Sequence, residues 1–146
     1  MVGTPSSHSL GIQSAVDLFH AFEETVADYL SDALSSRKAV TCAMFAWHTA
    51  DWIYAEFAPS QLTLAKFQRY LRRNCEALSY MQDVANGTKH RSIASYTPSV
   101  RSADEHQGAF SAGFSKGFDV SCLKLTLADG SVAYFDEEVI KARDFW

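Results

Sequence analysis

The chain has 146 residues, of which 47% are apolar, 21% charged and 13% aromatic. That apolar share offsets the ordering entropy and excludes a disordered chain, seven Gly and three Pro exclude collagen-like repeats, and the sequence has no run of about 18 apolar residues, as a membrane-spanning helix requires. Thirteen Lys and Arg against 17 Asp and Glu give a net charge of −4, which excludes a general nucleic-acid coat.

The stretch from Met1 to His8 lacks a basic start followed by an apolar core, so no secretory signal is expected and the expected location is cytoplasmic. Cys42, Cys75 and Cys122 are odd in number and have no close pair, which fits neither a disulfide framework nor a zinc pattern. Cys42 sits in an apolar run and reads as a small core residue.

Helical periodicity begins near residue 11 and runs to about 34. Ile12, Ala15, Phe19, Phe22, Val26, Tyr29 and Leu30 recur at steps of three and four, with Glu23, Glu24 and Asp28 on the other side. Ser35 and Ser36 are placed to end this helix and cap a second, from about Arg37 to Phe57, which Pro59 stops. Between Ala39 and Phe57 only Asp51 and Glu56 are charged, so the second helix reads as apolar all round and buried. Ser60 or Thr63 can cap a third helix with Leu64, Phe67 and Leu71 inward. Its pattern resumes beyond Asn74 with Leu78, Met81, Val84 and Ala85, and the sequence leaves open one long helix or two short ones.

Residues 92–118 carry Ser, Thr and Pro, then Phe110, Phe114 and Phe118 interleaved with Gly, and read as a loop or irregular strand, either with its aromatics folded back over the core or as a mobile linker. From Val120 an alternating strand, Asp129-Gly130 and Val132 to Phe135 predict a β-hairpin. Asp136 is placed to cap a last helix, with Glu137 and Glu138 in its first turn. The expected fold class is α+β in one domain: a three- or four-helix bundle over about 11–91, a loop over 92–118, and a hairpin plus short helix over 119–146.

Two polar groups stand out. Asp51 shares a helix face with Val40, Met44 and Trp47, and a buried carboxylate there needs a cation or several donors. His48 lies one turn before it. Asp83, Asn86 and His90 fall on one face of the following helical segment, so Lys89 or His90 is the expected partner of Asp51. The alternative is a structural network of Asp51, Lys89 and His90 with no chemistry. His48, Asp51, Asp83 and His90 also offer a four-ligand metal set, but without a recognised spacing, so no metal and no cofactor is assigned.

Charge is unevenly spread. From Lys66 to Arg101 there are seven basic residues against Glu76 and Asp83, a net +5 that leaves −9 for the rest. Lys66, Arg69 and Arg73 form a helical stripe, and with Arg72 and Arg91 they make a candidate phosphate-binding surface for RNA. Nineteen aromatic residues are many for one small core, which suggests a homodimer interface.

The combination of Ala46-Trp47-His48-x-x-Asp51-Trp52, Asp83-x-Ala85-Asn86-Gly87-x-Lys89-His90 and the terminal Asp129-Gly130 hairpin ending in Phe145-Trp146 resembles a family of small bacterial proteins that implies no activity. More loosely, a helical bundle with a polar-x-x-x-His element resembles the HEPN superfamily, which includes RNA-cleaving toxins and defence nucleases. Asn86 and His90 match its polar residue and His, while Ala85 stands where that family has Arg. The resemblance implies metal-independent RNA cleavage, with His90 as acid/base, Lys89 supplying charge, Asn86 positioning, and Asp83, Asp51 and His48 in support. A metal-dependent bundle enzyme is the third alternative.

Overall fold

Three hydroxyl side chains open the first three helices of the computed structural model, which describes residues 8–146. The stretch read for a leader lies outside the described residues as far as Ser7. Ser14 accepts the Asp17 N–H at 3.0 Å and starts α1 (Ala15–Leu30). Ser35 accepts the Lys38 N–H at 3.3 Å and starts α2 (Ser36–Phe57). Thr63 accepts the Lys66 N–H at 3.3 Å and starts α3 (Leu64–Asn74). Each cap satisfies a donor that a helix leaves without an internal partner. Cys75, extended at φ −145°, then separates α3 from α4 (Glu76–Lys89), so the sequence forms two helices here and not one.

α1 and α2 run antiparallel. Glu56, late in α2, accepts the N–H of Ala15 at the start of α1, where a helix end favours negative charge. Lys38, early in α2, reaches Asp28 near the end of α1 at 3.1 Å. Between them Cys42 is fully buried and its thiol donates to the Thr25 carbonyl at 3.3 Å. Burial pushes that thiol up to about 12, so it stays protonated at neutral pH.

The expectation that α2 is buried all round is corrected. Its buried residues include Ala39, Cys42, Ala43, Ala46 and Ala50, whereas Met44 and Phe57 are exposed. Small residues and the buried Trp47 make the inward face, against which α1 and α4 pack.

Where a loop over 92–118 was expected, the chain forms β1 (Val100–His106). It pairs antiparallel with β2 (Cys122–Leu127), which pairs with β3 (Val132–Tyr134), giving a sheet in the order β1-β2-β3. The register shifts between Val100 and Ser102, leaving Arg101 as a bulge. Gly130 turns β2 into β3 at φ +87°, where a side chain is strained. α5 (Phe135–Phe145) closes the fold. Asp136 does not cap it as expected: Tyr134 holds the cap position, and Asp136, inside the first turn, accepts from Lys116 at 2.7 Å. The result is an α+β fold, with helices leading and an antiparallel sheet and short helix following. Among the described residues no helix is long and apolar enough to cross a membrane.

One core joins these elements. Phe22, Val26 and Tyr29 of α1 meet Leu71, Leu78, Met81, Leu125, Phe135 and Val139, all fully buried or nearly so. Each large apolar side chain contributes about 1.5–3 kcal/mol by burial. Tyr29 and Phe135 pack edge to face at 5.2 Å, which ties the first helix to the last. Phe110, Phe114 and Phe118 stay outside this core, contrary to expectation. They are exposed and pack on one another, with Phe110 5.4 Å from Phe114 and 5.2 Å from Phe118.

Candidate functional site

The buried carboxylate that the sequence placed at Asp51 is found at Asp83. Asp83 is 4% exposed on α4. Its Oδ1 accepts the Tyr96 hydroxyl at 2.8 Å, and its Oδ2 accepts the backbone N–H groups of Ser99 at 2.7 Å and Val100 at 2.8 Å. Burial pushes the carboxyl pKa up; the Val100 amide, the Tyr96 hydroxyl, the Ser99 amide and the Arg72 charge pull it back, and the net direction is upward.

Tyr96 gathers the rest of this network. Burial pushes its phenol up to about 12, which keeps it a proton donor. Asn86 donates to its oxygen at 3.2 Å. The Arg72 guanidinium lies 4.9 Å from its ring centroid, donates to Ser79 Oγ at 3.2 Å, and reaches the Thr97 carbonyl at 3.5 Å. Three helix residues singled out from the sequence, Arg72, Asp83 and Asn86, thus hold down residues 96–100. Tyr96, Ser99 and Val100 were missed, because two of the three act through backbone amides that no side-chain pattern reveals.

Asp51 lies elsewhere. It is exposed on α2 and accepts from Gln68 of α3 at 3.5 Å. Packed protein around the carboxylate raises its pKa, while His48, Gln68 and Lys89 oppose the rise. Neither Lys89 nor His90 bonds to it; both are exposed at the end of α4, with the His90 N–H donating to the Asn86 carbonyl at 2.8 Å. The expected Asp51 pairing is therefore replaced by the Gln68 contact. His48 is exposed as well. Lys66, Arg69, Arg73 and Arg91 are exposed, and only Arg72 of the basic set is drawn into a network. Among the described residues no group of three or more His, Cys, Asp or Glu is placed to hold a metal ion, so the set of His48, Asp51, Asp83 and His90 is not brought together.

By clamping residues 99 and 100, Asp83 fixes where the sheet meets the helices. Beyond that point β1 leaves them, and residues 101–105 are all exposed. A half-open cleft of about 380 Å³ results. Its apolar lining comes from Ala39 and Val40 of α2, Val84 of α4, Leu123 and Leu125 of β2, and Phe135. Ser36, Thr88, Asp104 and Glu105 add polar groups. Cross-strand neighbours share a sheet face, so Ala103, opposite Leu125, and Glu105, opposite Leu123, lie on the face turned toward the helices. The lining includes neither His nor Cys, and Asp83 is its only site residue anticipated from the sequence.

Compared with known proteins, the chain matches no family model, no curated protein and no solved structure.

Proposed function

We propose that the protein is a non-catalytic binding module whose working surface is the cleft between β1 and the facing ends of α2 and α4. The observation that carries this reading is the composition of the cleft: apolar walls, a few polar groups, and one buried acid already engaged by three donors. A carboxylate so engaged is a structural anchor and not a free acid or base. Pockets of this size and lining suit a small, largely apolar ligand or apolar side chains of a partner.

The test uses Gly87, which lines the cleft mouth and has open space where a Cβ would stand. An apolar fragment set titrated into labelled protein is expected to shift the amides of residues 84–88 and 100–105. Gly87→Trp is expected to abolish those shifts with the fold retained. Shifts clustered away from the cleft, or unchanged in Gly87→Trp, would overturn the reading.

A second reading rests on a different observation: Lys66, Arg69 and Arg73 remain exposed along α3, and Lys89, His90 and Arg91 are exposed at the end of α4. We propose on that basis an HEPN-like RNA-binding or RNA-cleaving surface, with His90 as acid/base, for which the Asn86 amide would have to leave Tyr96. Single-stranded RNA incubated with the protein in chelator tests it. Cleavage lost in His90→Ala supports the reading; no cleavage and no binding, or full activity in the variant, removes it.

A further inference from the structure

We infer that β1 is a self-pairing edge, through which two copies of the chain join antiparallel about Ala103 into one continuous sheet. The sheet order places β1 at an edge, with no strand beyond it among the described residues. An uncovered strand edge presents a row of backbone donors and acceptors and is a template for another strand. β1 has seven residues and no Pro, whereas β3 at the opposite edge has three. Six consecutive residues, 100–105, border the cleft. The central strand β2, paired on both sides, borders the same space with the consecutive residues Leu123, Lys124 and Leu125, so this lining marks the sheet floor of the cleft and not the free edge of β1.

The charges of β1 select the occupant. Its sequence reads Val100-Arg101-Ser102-Ala103-Asp104-Glu105-His106. Two-fold pairing is isologous, so residue i meets residue j and j meets i. With Ala103 on the axis, Arg101 of each copy stands opposite Glu105 of the other, and Ser102 opposite Asp104. Both ion pairs are attractive, and each hydroxyl faces a carboxylate that can accept from it. A shift of the axis to Asp104 would set two carboxylates directly against each other, and a shift to Ser102 would lose both Arg101–Glu105 pairs, so charge favours the axis at Ala103. Within one chain, Glu105 stands opposite Leu123 and makes no ion pair among the described residues, which leaves it for this use. The Arg101 guanidinium lies beside Gly130 and the Asp129 carboxylate of the β2–β3 turn, so pairing with Glu105 of a second copy requires this long side chain to swing from there to the free edge. Joining two sheets in this way extends the sheet floor of the cleft beyond β1, so each ligand site would be bounded by both copies. The pairing does not depend on what the cleft binds.

Sedimentation across the micromolar to millimolar range tests the pairing, with circular dichroism confirming that each variant is folded. The expected result is a dimer at the upper end. Arg101→Glu or Glu105→Arg alone sets like charges opposite at two places and is expected to weaken the dimer about tenfold or more. The double variant Arg101→Glu with Glu105→Arg restores both pairs and is expected to recover the dimer. A chain monomeric throughout the range, a dimer indifferent to the single changes, or a double variant no better than the singles would each overturn the inference. Fragment binding to the wild-type chain at the dilute, monomeric end of the range separately reports whether the cleft reading survives.

Discussion

Asp83 Oδ2 accepts the backbone N–H of Val100 at 2.8 Å, so a carboxylate on α4 fixes the first residue of β1. The same oxygen holds the Ser99 N–H at 2.7 Å, and Oδ1 takes the Tyr96 hydroxyl. Asp83→Ala strands these buried donors and is expected to cost about 2–3 kcal/mol. Tyr96→Phe removes one bond and is expected to cost about 1 kcal/mol. Asp83→Asn should fall below the alanine variant, because its carbonyl can accept both amides while its amino group faces the Tyr96 oxygen. Urea denaturation ranks the three. Hydrogen exchange at Ser99 and Val100 should quicken most in Asp83→Ala; wild-type stability and exchange in that variant would show the clamp to be dispensable.

The same residue gives stability a pH dependence of known sign. Its folded pKa is raised above 3.8, so between the two values the native state holds a proton that the unfolded chain has lost. Native binding of more protons makes stability fall as pH rises. The contribution of Asp83 is thus fullest below 3.8 and is lost as pH climbs through its folded pKa. Asp119 and Asp129 have lowered pKa values and act in the opposite sense, so the wild-type profile alone mixes these effects. The difference between wild type and Asp83→Asn isolates one group. It should move in favour of wild type as pH drops from neutral toward 3.8. A flat difference would mean that the folded and unfolded pKa values coincide.

How much of this was legible in the sequence depends on how each element gains its stability. α1 was readable because Ala15, Phe22, Val26 and Tyr29, all found buried, recur at helical spacing; Leu18, also buried, was missed. The hairpin was readable because Leu123 and Leu125 alternate and Asp129-Gly130 marks the turn. β1 was not, because its middle five residues are exposed and no apolar alternation can appear. It is held by pairing with β2 and by the carboxylate of Asp83, neither of which leaves a local pattern. The site failed for a related reason. Asp51 looked buried because α2 is rich in apolar residues, but its buried face is built mainly from alanines, and the larger apolar residues Met44 and Phe57 lie at the surface. Asp83 could not be recognised as the buried acid because its partners Tyr96, Ser99 and Val100 lie in a segment with no recognisable periodicity.

The loop that displays Phe110, Phe114 and Phe118 depends on a close backbone approach at Gly108. A Cβ at this position would stand 2.2 Å from the Asp119 carbonyl oxygen and 2.5 Å from the Val120 carbonyl carbon. Both are backbone atoms, so the loop itself must shift. Gly108→Ala is expected to destabilise by about 1–3 kcal/mol, the range for forced overpacking. Gly113 has nothing within 4 Å of the same position, and Gly113→Ala should be nearly neutral. Ring resonances of the three Phe residues should move in the first variant and stay in the second. Equal melting temperatures for the two would show that the loop yields without cost.

The last residue reaches back to the middle of the bundle. Trp146 Nε1 donates to the Ala46 carbonyl at 3.0 Å, and its ring packs against Phe145 at 5.6 Å. Ala46 is fully buried in α2, so this contact fastens the end of the chain to the inner face of that helix. Trp146→Phe keeps an aromatic ring but removes the donor, and is expected to cost about 1 kcal/mol. Trp146→Ala removes the packing as well and should cost more than the phenylalanine variant, because this side chain is half-buried against the core. If the indole acts only by filling space, Trp146→Phe will match wild type in chemical denaturation while Trp146→Ala will not. If the hydrogen bond sets the position of α5, the phenylalanine variant will also lose amide protection along Phe135–Phe145.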